Sequence, residues 1–329
     1  MKIKTFTALT LFVLSILGCG LLSARAQTRL GWPILHGPSL SLAGLPNADI
    51  YALDNDNTLW LRVGCSGRSF TRQFNIRNVD SQVVGIDFRP ADGRLYAVTA
   101  KGSVYRIETA TGRATLVSSL TVKFAGGAQS LVDFNPVANA LRLIGSNDQN
   151  LGVVNSAGDL NLTATQTQIA YAQGDVNGPV LAADGTVIRP GADPNLVGGS
   201  YTNNFNGATT TIFYALDFNL NTLVTIAGPL VGQGSSNTAS GRLQTIGNLI
   251  DTSGQPVDIT PTTDIDIYTV NNNNFAVGVS GRTIFTIDLS QIETNLQLGV
   301  TQPVTVRKAT LMEAGFIDLA ISQRSCGRN

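Results

Sequence analysis

Val83–Ser118 reads VVGIDFRPADGRLYAVTAKGSVYRIETATGRATLVS. Four short apolar, β-branched runs, Val83–Phe88, Arg94–Thr99, Ser103–Ile107 and Ala114–Ser118, are separated by Pro-Ala-Asp-Gly, Ala-Lys-Gly and Ala-Thr-Gly. Runs of strand length punctuated by turn residues predict a four-stranded antiparallel meander.

The same pattern recurs along the chain, and recurrence decides architecture before any local reading does. A shift of 46 residues lays Ile86-Asp87-Phe88-Arg89-Pro90 on Val132-Asp133-Phe134-Asn135-Pro136, and Gly112 on Gly158. A shift of 45 the other way lays Arg94–Val98 on Asp49–Leu53, so the first unit begins at its second strand. Its missing strand is expected at the other end of the chain, where Phe316–Ile321 repeats the Ile-Asp-Phe pattern. A last strand that completes the first unit closes a ring, which is the arrangement of a β-propeller and leaves no long unpaired edge.

A further copy runs from Ile265-Asp266-Ile267 through Phe275–Val277 and Arg282–Asp288 to Asn295–Val300. A divergent one comprises Val197–Asn203, Thr210–Asp217, Thr222–Ala227 and Leu243–Gly247. The expected fold is therefore all-β, a propeller of five blades, with a sixth if Thr163–Pro194 and Gly228–Gly241 hide strands. Rich in Gly, Asn, Ser and Asp, those two stretches read more readily as long loops.

At the N-terminus Lys2 and Lys4 precede an apolar run from Ala8 to Leu22 and then Ala24-Arg25-Ala26. This is the form of a secretory signal peptide over residues 1–26, too short for a membrane-spanning helix. Ile16-Leu17-Gly18-Cys19 is an alternative lipid-attachment signal. Export to the periplasm or beyond is expected, with residues 27–48 as a strap, 49–323 as one propeller domain and 324–329 as a tail. No later run is apolar enough to span a bilayer.

Without the signal the chain carries 19 basic and 22 acidic residues, scattered rather than clustered, which gives no footprint for nucleic acid. Charged residues are 13% and hydrophobic ones 43% of the chain, so a packed fold rather than disorder is expected.

Of three cysteines, Cys65 and Cys326 remain after signal removal. Cys65 follows the third strand of the first blade and Cys326 follows its closing strand, ends that emerge on the same side about 10 Å apart at ~4.8 Å per strand. The chain can bring them together, and a bridge closing nearly the whole chain would contribute about 3–5 kcal/mol in the chain-entropy view.

Catalytic signatures are sparse. The sole histidine is His36, and there is neither a G-x-S-x-G elbow nor a phosphate-binding G-x-x-x-x-G-K loop. Sites built on several imidazoles or four thiolates are excluded by composition. The repeated aspartates Asp87, Asp133, Asp266 and Asp318 stand one on each recognisable innermost strand. They either ring the central channel and hold a cation or polar ligand, or cap backbone N–H groups of their own or a neighbouring blade. Four bare carboxylates would raise one another's pKa, so a true ring needs a cation.

Asp54-Asn55-Asp56-Asn57 and Gly174-Asp175-Val176-Asn177-Gly178 resemble calcium loops but lack the closing bidentate Glu. The first aligns with a hairpin turn, and Asp175 and Asn177 stay as metal candidates, with calcium as the cofactor implied. Trp60, Tyr51, Tyr96 and Tyr105 fall on strand positions that suit inter-blade packing.

Val84–Val98 (VGIDFRPADGRLYAV), Tyr105–Leu116 and Tyr171–Asp217 (YAQGDVNGP … YTNNFNGATTTIFYALD) make the chain resemble a bacterial family known as domain of unknown function 4394. The resemblance spans about Asp49 to Ile321 and implies a secreted, propeller-like protein, with no activity or catalytic residue attached. The function expected is a non-enzymatic binding scaffold for an envelope or extracellular protein or glycan. The alternative is a metal-dependent hydrolase, lactonase- or esterase-like, built on the four aspartates.

Overall fold

The computed structural model describes residues 45, 47–64, 69–127, 129–154, 160–226, 237–290, 292, 302–312 and 314–325. The signal segment with Cys19, His36, most of the strap, Cys65, Cys326 and the expected strand Asn295–Val300 lie outside them. All the described residues belong to one compact unit.

The strands of the opening stretch appear at Val83–Arg89, Arg94–Thr99, Ser103–Ile107 and Ala114–Ser119, hydrogen-bonded in sequence order. This meander 2 is followed by meander 3, with strands Leu131–Asn135, Ala140–Ile144, Asn150–Val154 and Leu162–Thr165. Meander 4 is Leu196–Tyr201, Phe213–Asp217, Thr222–Ile226 and Arg242–Ile250. Meander 5 is Asp264–Val270, Asn273–Ser280, Thr283–Asp288 and Val304–Leu311, so its outer strand comes later than the expected Asn295–Val300.

Meander 1 takes its inner strand, Phe316–Ser325, from the C-terminus. That strand lies antiparallel to Ala48–Asp54, with Ile50 opposite Ile321 and Ala52 opposite Leu319, and Thr58–Arg62 and Thr71–Asn75 complete the sheet. It runs two residues into the expected tail. Among the described residues the inner strands of these meanders contact one another in cyclic order, the last returning to the first, and a parallel pairing of their outer strands joins meanders 4 and 5 into one sheet. The architecture is thus all-β and propeller-like, a nearly closed ring of strands.

Alternation along each strand accounts for the ring. Ile50 and Ala52 pack on meander 5, whereas Tyr51 and Leu53, one residue out of phase, pack on meander 2. Leu95 and Ala97 face meander 1, and Tyr96 and Val98 face meander 3. Both faces of the inner strands are covered, which is why those strands read as nearly continuous apolar runs, whereas outer strands such as Thr71–Asn75 are polar and largely exposed. Tyr51 meets Phe88 edge-on at 5.4 Å and Tyr96 meets Phe134 at 5.3 Å, each contact joining neighbouring meanders. Trp60 packs against Phe316 of its own sheet at 5.9 Å.

The stretch Thr163–Pro194 contributes two short pieces beyond the end of meander 3. Ala170–Tyr171 runs parallel to Arg242–Ile250, and Val180–Leu181 pairs with Val187–Arg189 in an isolated hairpin. Neither makes a further four-stranded sheet among the described residues. The Asp54–Asn57 stretch forms the hairpin turn: Asp54 Oδ1 accepts the N–H groups of Asp56 and Thr58, and Asn57 takes φ 56°.

Candidate functional site

The inner strands bring five aspartates together. Asp87, Asp133, Asp266 and Asp318 are joined by Asp264, two residues before Asp266 and therefore on the same side of its strand, and all five are buried. The equivalent position of meander 4 is Ser200, which is also buried.

Each carboxylate reaches the backbone of the next meander. Asp318 Oδ1 accepts from Ile86 N–H at 3.1 Å, Asp87 Oδ2 from Phe134 N–H at 2.7 Å and Asp133 Oδ1 from Tyr201 N–H at 3.0 Å. In meander 4 Ser200 Oγ accepts from Ile267 N–H at 3.1 Å and donates to Asp266 Oδ1 at 3.0 Å. Asp266 Oδ2 then takes Ile321 N–H at 2.6 Å and Asp264 Oδ2 takes Leu319 N–H at 3.1 Å, which brings the chain of bonds back to meander 1. Capping of a neighbouring sheet is thus a role of these residues.

Two glycines make room for the approach. A Cβ on Gly85 would stand 2.4 Å from Val132 and 3.1 Å from Asp318 Oδ2, and one on Gly198 would stand 2.4 Å from Asp264 Cα.

Burial pushes Asp87, Asp133, Asp264 and Asp318 well above the ordinary carboxylate range, and neighbouring aspartates add to the rise. Burial also raises Asp266, but only to about 7, because the Ile321 and Ile267 N–H groups and the Ser200 hydroxyl stabilise its anion. Oxygens of Asp87, Asp133 and Asp266 all lie within 4.8 Å of one another, and Asp318 stands outside that trio.

Asp175 and Asn177 are placed elsewhere and serve a different geometry. Asp175 accepts from Thr245 N–H at 2.6 Å, Thr245 Oγ1 at 2.7 Å and Asn177 N–H at 2.9 Å, and Asn177 Nδ2 donates to Thr245 Oγ1 at 3.0 Å. These bonds latch the long loop onto the outer strand of meander 4.

A second feature lies at the seam between meanders 1 and 2. A groove of about 530 Å³ is lined by Arg94, Arg106 and Arg113 of meander 2, Asp49 and Tyr51 of meander 1, and Ser322 of the closing strand. Among the described residues none of the three guanidiniums has an ion pair or hydrogen bond. The acidic groups beside them are engaged, Asp49 with Gly64 N–H at 3.0 Å and Glu108 with Thr111 Oγ1 at 2.7 Å. Arg94 and Arg106 lie on adjacent strands of meander 2 and Arg113 directly before its fourth strand, so the three come together only through strand pairing, which a scattered distribution of basic residues does not signal.

No curated protein matches the chain significantly. Among solved structures, the chain resembles one from a nidogen/laminin complex at 11% identity and TM-score 0.44, covering 85% of this chain and 100% of that one. It also resembles an auxiliary nutrient binding protein from Bacteroides thetaiotaomicron at 14% identity and TM-score 0.40, covering 70% of this chain and 53% of that one. A protein of unknown function from the same organism aligns at 15% identity and TM-score 0.39, covering 85% and 65%. A family model matches residues 65–308, most of the chain, and the protein belongs to that family, described as Domain of unknown function (DUF4394).

Proposed function

We propose that the protein is an exported, five-bladed propeller that binds an acidic polysaccharide in the groove at the seam of its first and second blades. The observation that carries this reading is the set of three uncommitted guanidiniums, Arg94, Arg106 and Arg113, in one open groove. Arginine forks match carboxylate and sulfate geometry, and a planar, always-charged group is the usual choice for that recognition. An acidic glycan suits the groove, whose lining sets the three arginines, Thr109 and Thr115 beside the apolar surface of Tyr51, Phe88, Leu95 and Ile107, so that both the polar groups and the flat faces of a sugar find partners.

Export is inferred from the signal-like first 26 residues. A Cys65–Cys326 bridge fits the same compartment: Gly64 abuts the backbone of Ala48, and Ser325 is paired with Ala48, so the described neighbours of both cysteines meet at one residue. The hydrolase reading has less support, since a catalytic cation needs an open position that substrate can reach, and Asp87, Asp133, Asp266 and Asp318 are only 1–2% exposed.

Affinity electrophoresis through gels containing polygalacturonate or neutral dextran tests the proposal. Retardation by the acidic polymer alone, relieved at high salt, is expected. Equal mobility in both gels would overturn it.

A further inference from the structure

We propose that Asp87, Asp133 and Asp266 hold a divalent cation of the calcium type between the inner strands of meanders 2, 3 and 5. This site is distinct from the seam groove and does not depend on it.

Three sheets that are far apart in sequence each deliver a carboxylate oxygen to a place where all three oxygens lie within 4.8 Å of one another. Calcium binds oxygen at about 2.3–2.6 Å, so the oxygens around one ion stand no more than roughly 5 Å apart, and the trio meets that condition. Oxygen-only ligands select a hard cation over zinc or copper.

The second observation is Asp87 Oδ1. Asp87 is 1% exposed, and its Oδ2 is taken by Phe134 N–H, yet Oδ1 has no hydrogen-bond partner. Buried polar atoms are nearly always satisfied, so a bare oxygen on a carboxylate of the trio marks a place for a ligand that accepts electron pairs.

Charge leads to the same conclusion. For Asp87 and Asp133 the strongest charged influences are other aspartates, which with burial favour the neutral acids until a divalent ion displaces their protons. Arg142 stands opposite Asp133 in register, but it spends its donors on Asn150, Gln166, Thr238 and Tyr201. A divalent ion supplies the compensation that these side chains do not. Calcium suits the site better than magnesium, because its loose coordination tolerates a set of oxygens already tied to backbone N–H groups, whereas magnesium demands a near-ideal octahedron.

A cation so deeply buried exchanges slowly, so the full mature chain is unfolded in denaturant with EDTA and refolded with or without calcium or magnesium. Metal content and thermal unfolding are then read. Retention of close to one calcium per chain and a rise in Tm on the order of 5 °C at a hundredfold excess over Kd are expected. The rise should vanish in Asp87→Asn, which keeps the shape and removes the charge, and persist in Asp175→Asn. Should Asp87→Asn fail to fold, the wild-type measurements decide alone. No retained metal and no change in Tm would overturn the site. So would a calcium response that survives in Asp87→Asn, or one seen with magnesium only.

Discussion

Asp175 and Asp87 show how little an aspartate's sequence neighbourhood says about its work. Asp175 sits in an Asp/Asn-rich loop with the look of a calcium site, yet its oxygens are occupied by Thr245 and Asn177. Replacing it with Ala removes three hydrogen bonds and frees the loop, and we expect a loss of about 1–3 kcal/mol in denaturant unfolding. Asp87 stands in an apolar strand and carries the unsatisfied oxygen. The phase of the aspartates was legible because the Ile-Asp-Phe repeat marks it. Asp264 and Ser200 were not, since one lies two residues ahead of the repeated position and the other replaces the acid. Asp148 offers a test away from this cluster. Burial, then repulsion from Asp193 and Asp217, pushes its carboxyl up to about 6. A folded-state pKa above the unfolded value of about 3.9 means stability present at low pH and lost as pH rises from about 4 to 6. Asp148→Asn should therefore match the wild type below pH 4 and be more stable at pH 7.5. Because the group is partly exposed, the gain is up to about 1 kcal/mol, and Asn also tolerates the φ of 60° at this position. Unfolding midpoints of both proteins across that range check the sign.

The strands of the opening stretch were readable to within a residue because turn residues bound them on both sides. The outer strand of meander 5 was not. In meander 2 six residues, 108–113, separate the third and fourth strands, whereas fifteen, 289–303, do so in meander 5. A repeat carries its template's spacing only where the connection is a tight turn, and an insertion there costs little. Close approach between elements was equally hidden, because a glycine in a strand looks like weakness until its neighbour is known. Gly198 permits the inner strand of meander 5 to lie against meander 4, and a Cβ there would collide with Asp264 backbone, which cannot rotate away. Gly198→Ala should lower stability by about 1–3 kcal/mol, whereas Gly207→Ala, with nothing within 4 Å, tests only the strain of its φ of 87°. Equal unfolding midpoints for wild type and Gly198→Ala would show that the two sheets are not held this closely.

At the scale of the molecule, closure was the most legible feature: a first unit without its inner strand and a last strand without a unit imply each other. The observed pairing of Ile50 with Ile321 and of Ala52 with Leu319 follows from that arithmetic. The groove was not legible, because it exists only once the ring closes and Ser322 of the C-terminal strand comes beside Tyr51 of meander 1 and the arginines of meander 2. The proposed binding would be a property of the seam and not of any one repeat. Isothermal titration of the mature protein with oligogalacturonate at low salt, beside an Arg106→Ala/Arg113→Ala variant of unchanged unfolding midpoint, tests this most directly. Each charged hydrogen bond lost is worth roughly 1.5–3 kcal/mol, so affinity should fall at least about tenfold in the variant. Equal affinity in the two proteins, or no heat of binding in either, would contradict the assignment of the groove.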